Sequence, residues 1–237
     1  MKINIKKCLE FLDNTPVRGH ATAIVSMIGE ELNACAFKHY MESMGCAAEI
    51  LLDKADKPLP VRQALPGRKQ LDRWIEVKDI NKKILYQCEI KNWSATAIGG
   101  QYVEVDADNN ELKNIAEYYW SNQKLNEFSK EYPGRVTKVL LKMRPPEGYQ
   151  TATIEPLLIY WVPISNSDNT NPFFEVATSD FNNPEINTVF KKLKIFSVSL
   201  YFRQILSADK NNEILDFYMP HTEYRLGILK DLGFLNI

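Results

Sequence analysis

The sequence predicts an α/β fold, a mixed β-sheet flanked by helices. Across residues 21–44 the apolar side chains Ile24, Val25, Ile28, Leu32, Cys35 and Ala36 recur at spacings of three and four, the period of an amphipathic helix, and Gly45 ends the run. Residues 70–77 and 84–92 carry period-two patterns joined by a polar stretch, as two strands in a hairpin-like pair do. A second helical stretch, 110–130, is followed after Pro133-Gly134 by a strand-like run, 136–143. Helices interleaved with strands in this order make a layered sheet rather than a bundle or a sandwich.

The remaining elements follow in order. Residues 1–20 form a short lead-in that ends in the turn-like stretch around Pro16 and Gly19. Residues 47–52 read as a first strand, and 53–67, with three prolines, as a loop. A short strand at 102–105 follows the Gly99-Gly100 break. Beyond Pro145 the chain becomes aromatic-rich, with strands expected at 154–164 and 173–178 and a closing helix at 224–232. The apolar run 194–206 fits a helix or a buried strand equally well. The expected organisation is therefore a lead-in (1–20), a core (21–144) and a C-terminal extension or subdomain (145–237).

Composition narrows the classes of function. With 45% hydrophobic and 25% charged residues the chain buries an ordinary core. A formal net charge of −1 gives no global basic field, so any nucleic-acid surface must be a local patch. The four cysteines show no metal-ligand or redox spacing, and Cys35 and Cys88 fall in apolar periodic segments, as packed thiols do. The chain start lacks the apolar stretch of a signal peptide, and the strongest apolar run, 157–164, is too short to span a bilayer. A cytoplasmic protein with no membrane partner is the expectation.

The chemistry concentrates in Asp72 and in Glu89-Ile90-Lys91. On the second hairpin strand Gln87, Glu89 and Lys91 share a polar face, with Ile84, Tyr86, Cys88 and Ile90 on the apolar side. On its partner Gln70, Asp72, Trp74 and Glu76 share a face, so matching the apolar sides brings Asp72 and Glu89 together. Two close carboxylates repel unless a cation neutralises them, and hard oxygen donors suit Mg²⁺. The plainer reading is a solvated hairpin with a Glu–Lys pair of little energetic consequence.

An Asp followed by Glu-x-Lys on adjacent strands, after an amphipathic helix, resembles the PD-(D/E)XK nuclease superfamily over residues 21–144. The resemblance implies a restriction-endonuclease-like core and Mg²⁺-dependent hydrolysis of nucleic-acid phosphodiesters, with Mn²⁺ as a substitute and DNA preferred to RNA. It implies that Asp72, Glu89 and the Ile90 carbonyl hold the metal and that Lys91 positions or helps deprotonate the attacking water. It also implies an acid on the first helix. The helix wheel favours Glu31, at the flank of the stripe centred on Ile28, Leu32, Cys35 and His39, over Glu30, which points to the opposite side. Leu71 stands where the family's name has proline, and no Gln-xxx-Tyr pattern follows the second helix.

Further contacts are expected from Lys138, Lys142 and Arg144, which fall on one face of the 136–143 run and its flank, suited to phosphate; a basic sheet edge is the alternative. Lys57, Arg62, Arg68 and Lys69 could line an entrance, and Trp74 and Trp93 could stack on bases, although strand tryptophans usually pack in cores. His20 could touch phosphate, whereas His39 on the apolar stripe fits a packed histidine. The competing function is a non-catalytic interaction module that keeps the fold and works through its aromatic C-terminal half, which would also be the interface of a homodimer. A hydrolase of small phosphorylated substrates would need a closed pocket.

Overall fold

In the computed structural model, which describes residues 1–13, 18–63, 70–80, 82–91, 137–161, 171–178, 189–209 and 211–234, both halves of the chain supply one sheet. In chain order the elements are β1 (Lys2–Asn4), α1 (Ile5–Asp13), α2 (Arg18–Ser43), β2 (Ala47–Ile50), β3 (Val61–Arg62), β4 (Gln70–Leu71), β5 (Arg73–Lys78) and β6 (Lys83–Lys91). A 3₁₀ turn (Thr137–Leu140) precedes β7 (Thr153–Tyr160), β8 (Phe173–Ala177), β9 (Lys192–Ser197), α3 (Val198–Ala208), β10 (Ile214–Asp216) and α4 (Pro220–Asp231). The six-stranded sheet runs β2-β5-β6-β7-β9-β8. β6, β7 and β9 are parallel, and β5 and β8 run against their neighbours. The fold is thus a mixed α/β sheet with helices.

α2 ends where Gly45, at φ 83°, turns the chain; the Cys46 N–H donates back to the Met41 carbonyl at 3.0 Å. Only a residue tolerant of positive φ closes a helix in this way. β6 is central, and its alternation sorts the molecule into two cores. Tyr86, Cys88 and Ile90 join Ile75, Val77, Leu157, Ile159 and Phe196 against α1, α2 and α3. Leu85 joins Trp74, Leu158, Tyr160 and Ile195 on the opposite face, which Val61, Val139, Leu140 and Met143 cover. Phe37 of α2 ties the helical layer to the sheet, with ring centroids 5.6 Å from Tyr86 and 5.2 Å from Phe196. Phe37→Ala is therefore expected to cost about 3–5 kcal/mol, read as a lower denaturant midpoint at unchanged slope.

Several expectations change here. Residues 137–143 do not form a strand: a 3₁₀ turn gives way to a single bridge between Gln63 and Met143, and the strand that follows β6 in the sheet is β7. The run alternates in sequence, but the Val139 and Leu141 carbonyls and the Met143 N–H bond to the Gln87 side chain. The 194–206 run divides into β9 and α3, because Ser197 caps the helix by accepting from the Leu200 N–H. The boundary at 144 cuts through the sheet, since β7, β8 and β9 come from beyond it. The lead-in holds β1, which pairs with β10 near the other end of the chain. The expected strand at 102–105 and helix at 110–130 lie outside the described residues.

Candidate functional site

Asp72 interrupts a strand. It separates β4 from β5, and the alternation slips there: Leu71 and Trp74, three positions apart, enter the same core. Such a break re-aims a side chain at the end of a strand pair. The Asp72 N–H still bonds to the Cys88 carbonyl at 2.9 Å, while its Oδ2 accepts from the Ile90 N–H at 2.7 Å. The carboxylate thus fills a place on the β6 edge that a neighbouring strand's carbonyl would otherwise hold. An extended residue points its N–H and C=O to the same edge, so the Ile90 carbonyl also lies on the Asp72 side.

Glu89 is buried on the adjacent strand, 3% exposed, and Lys91 Nζ donates to its Oε1 at 2.5 Å. Burial and the negative charge of Glu89 push Asp72 up to about 7, against the pull of the Ile90 N–H and of Lys91. A half-buried carboxylate beside the charge of a buried one is raised in this way. Asp72, Glu89 and Lys91 are therefore brought together at one corner of the sheet.

The helix-borne acid requires correction. Glu31 is turned to α4: its Oε1 accepts from the His221 N–H at 3.1 Å, and its Oε2 from the Thr222 N–H and hydroxyl, both at 2.7 Å. It caps a helix N-terminus, where a negative charge is favoured. Glu30 is the residue whose charge reaches Asp72, and it pairs with Arg73 at 3.3 Å. The wheel placed Glu31 inward and Glu30 toward solvent, as the structure has them, but the inward side of α2 at Glu31 meets the N-terminus of α4. Glu30 adjoins the site because Arg73, the neighbour of Asp72, reaches across to it, and no spacing in the sequence signals that approach.

The other candidates divide. Trp74 is fully buried, with its indole N–H donating to the Pro60 carbonyl at 3.3 Å, so it is a core residue and not a stacking platform. His39 bonds to the Tyr201 hydroxyl at 2.6 Å, and burial holds it below the ordinary histidine value. Lys142 and Arg144 are exposed on the irregular segment, not on a strand face. Trp93, Arg68 and Lys69, and the side chains of Lys138 and His20, lie outside the described residues. Cys35 and Cys88 are packed core thiols. A cavity of about 410 Å³ beside α2 includes Arg73 and His39 in its lining but none of Asp72, Glu89 and Lys91, so it does not enclose the carboxylate pair.

The donor set fits a hard divalent ion of the Mg²⁺ kind: two carboxylates and a main-chain carbonyl, with waters completing the shell. Among the described residues there is no cluster of three or more Asp, Glu, His or Cys side chains able to hold a metal. No described helix is long and apolar enough to cross a membrane. Comparison with protein-family models, with curated proteins and with solved structures finds no match.

Proposed function

We propose that this protein is a metal-dependent phosphodiesterase of nucleic acid, acting on DNA in preference to RNA, with a restriction-endonuclease-like core. The observation that carries the proposal is geometric: the Asp72 carboxylate is bonded to the Ile90 N–H, and on the same strand Lys91 is bonded to Glu89, one residue from Ile90. The element series supports it: α2, β2, β5 and β6, then β7 laid parallel to β6, match the first helix, the three strands and the closing strand of such a core, and the sequence predicts the connecting helix at 110–130.

In this reading Asp72, Glu89 and the Ile90 carbonyl would hold Mg²⁺ or Mn²⁺, which would supply an activated water and neutralise charge on the phosphoryl oxygens. Lys91 would orient the attacking water and face the charge that develops during in-line attack. The Ile90 N–H fixes the Asp72 carboxylate so that it does not rotate away from Glu89. Glu30, with Arg73 beside it, takes the position of the helix-borne acid.

The test is cleavage of single-stranded DNA, double-stranded DNA and RNA with Mg²⁺ or Mn²⁺. Lys91→Ala is expected to lower cleavage by about a thousandfold or more, the several kcal/mol associated with a transition-state charge, while keeping the far-UV spectrum and moving Tm by only a few degrees. Metal-dependent cleavage that survives in Lys91→Ala would refute this assignment.

One observation favours the interaction-module reading as a second possibility. The outer part of α4 and its end expose Tyr224, Leu226, Ile228, Leu232 and Phe234, an apolar surface of the kind that marks protein contacts. Concentration-dependent sedimentation, lost in Ile228→Glu with Leu232→Glu, would show that this surface joins two copies.

A further inference from the structure

We infer that Gln87 is a positioning residue that fixes Arg62, Lys142 and Arg144 as a track for a nucleic-acid backbone leading to Lys91; the inference rests on the nuclease reading of the carboxylate corner. Gln87 lies two residues before Glu89 on the same strand face, and it is fully buried. Its amide nitrogen donates to the Val139 carbonyl at 2.6 Å and to the Leu141 carbonyl at 2.7 Å. Its amide oxygen accepts from the Met143 N–H at 3.2 Å. Irregular chain laid on a sheet must find partners for its main-chain groups, and one glutamine supplies three of them. An aliphatic side chain at position 87 would bury those groups unpaired.

The clamp decides what faces solvent. Val139, Leu140 and Met143 are drawn into the second core, and this leaves Lys142 and Arg144 exposed. The Arg144 N–H then bonds to the Arg62 carbonyl at 2.8 Å, bringing a third exposed cation alongside. Among the described residues none of these three makes an ion pair, which is also true of other exposed lysines such as Lys7 and Lys54; what sets the three apart is that one backbone bond holds their two segments side by side. Unneutralised cations on a chain of net charge −1 offer themselves to an outside polyanion. Strand rise places Gln87 about 13 Å from Lys91, about four base-pair steps along the axis of a duplex. A phosphate backbone at the metal corner can therefore run along this track.

The experiment measures binding apart from cleavage, by fluorescence anisotropy of a labelled DNA duplex and of a single strand, in chelator, between ~50 and ~200 mM salt. Arg62→Glu with Arg144→Glu is expected to weaken binding at least tenfold and to flatten the dependence of log Kd on log salt by about two contacts' worth. Gln87→Met, with all three cations intact, is expected to weaken binding and flatten the slope as well, which a purely structural role would not do. Lys7→Glu, an exposed charge change on α1, is the control. The track is overturned if the double variant binds no worse than Lys7→Glu, or if the wild-type protein binds neither DNA. Should the variants lose binding while the wild type shows no metal-dependent cleavage, the track stands and the nuclease reading fails. Should cleavage depend on Lys91 yet binding ignore the variants, the track fails alone.

Discussion

Asp72→Asn is expected to abolish metal-dependent cleavage and, in chelator at pH 8, to make the protein more stable than wild type. The two effects share a cause. Burial and Glu89 lift Asp72 to about 7 from an ordinary value of 3.8, so between those values the folded protein holds a proton that the unfolded chain has released. Stability of the wild type therefore falls as pH rises through that window, and the full penalty is present above it. Asparagine keeps an oxygen for the Ile90 N–H but carries no charge to oppose Glu89.

Asp72→Asn should gain about 1–3 kcal/mol at pH 8, the three-unit shift discounted for relaxation, and that gain should shrink to nothing near pH 4. Mg²⁺ reverses the order. An ion that binds only the folded wild type adds about 2.7 kcal/mol at a hundredfold excess over Kd, and the variant should lack that response. Because protons compete for the Asp72 carboxylate, the wild-type response should fade below about pH 7. Thermal melts across pH, with Mg²⁺ and with chelator, read all of this. A destabilised Asp72→Asn that keeps the wild-type response to Mg²⁺ would remove the charge-strained pair from the account.

The second large effect lies on the helix. Glu31→Ala is expected to destabilise by about 2–4 kcal/mol, because it strips the buried cap from α4 and leaves the His221 N–H and both donors of Thr222 without their acceptor. The loss should be largely local: α4 is buried at Thr222 and exposed along its outer turns. Hydrogen exchange should therefore quicken in residues 220–231 before the sheet opens. Glu30→Gln should do the opposite, leaving stability nearly unchanged while weakening the response to metal. Rapid exchange in α4 without loss of cleavage separates a cap from a ligand. If Glu31→Gln instead removed metal binding with α4 still protected, the present placement of the two acids would be reversed.

Local pattern alone determined a good deal of this protein. Period three-to-four fixed α2 and Gly45 ended it; period two marked β5 and β6, and an apolar run marked β7; and the faces of β6 followed from alternation, so Ile84, Tyr86, Cys88 and Ile90 oppose Gln87, Glu89 and Lys91. The meeting of Asp72 with Glu89 was legible too, because both flank a hairpin whose register the apolar sides constrain.

What the tertiary structure decided was whatever depends on a partner distant in sequence. The polar face of β6 reads as solvated, yet Gln87 and Glu89 are buried, and over Gln87 lies a segment some fifty residues later. The alternation of 137–143 suggested a strand, but hydrogen bonds to Gln87 satisfy its main chain instead. Glu31 faced its helix stripe correctly for burial, but which neighbour would be there, a metal or the N-terminus of α4 almost two hundred residues away, was no property of the helix. Periodicity records which side of an element leaves water. It does not record what meets that side, because burial is set by area while contact is set by the path of the whole chain.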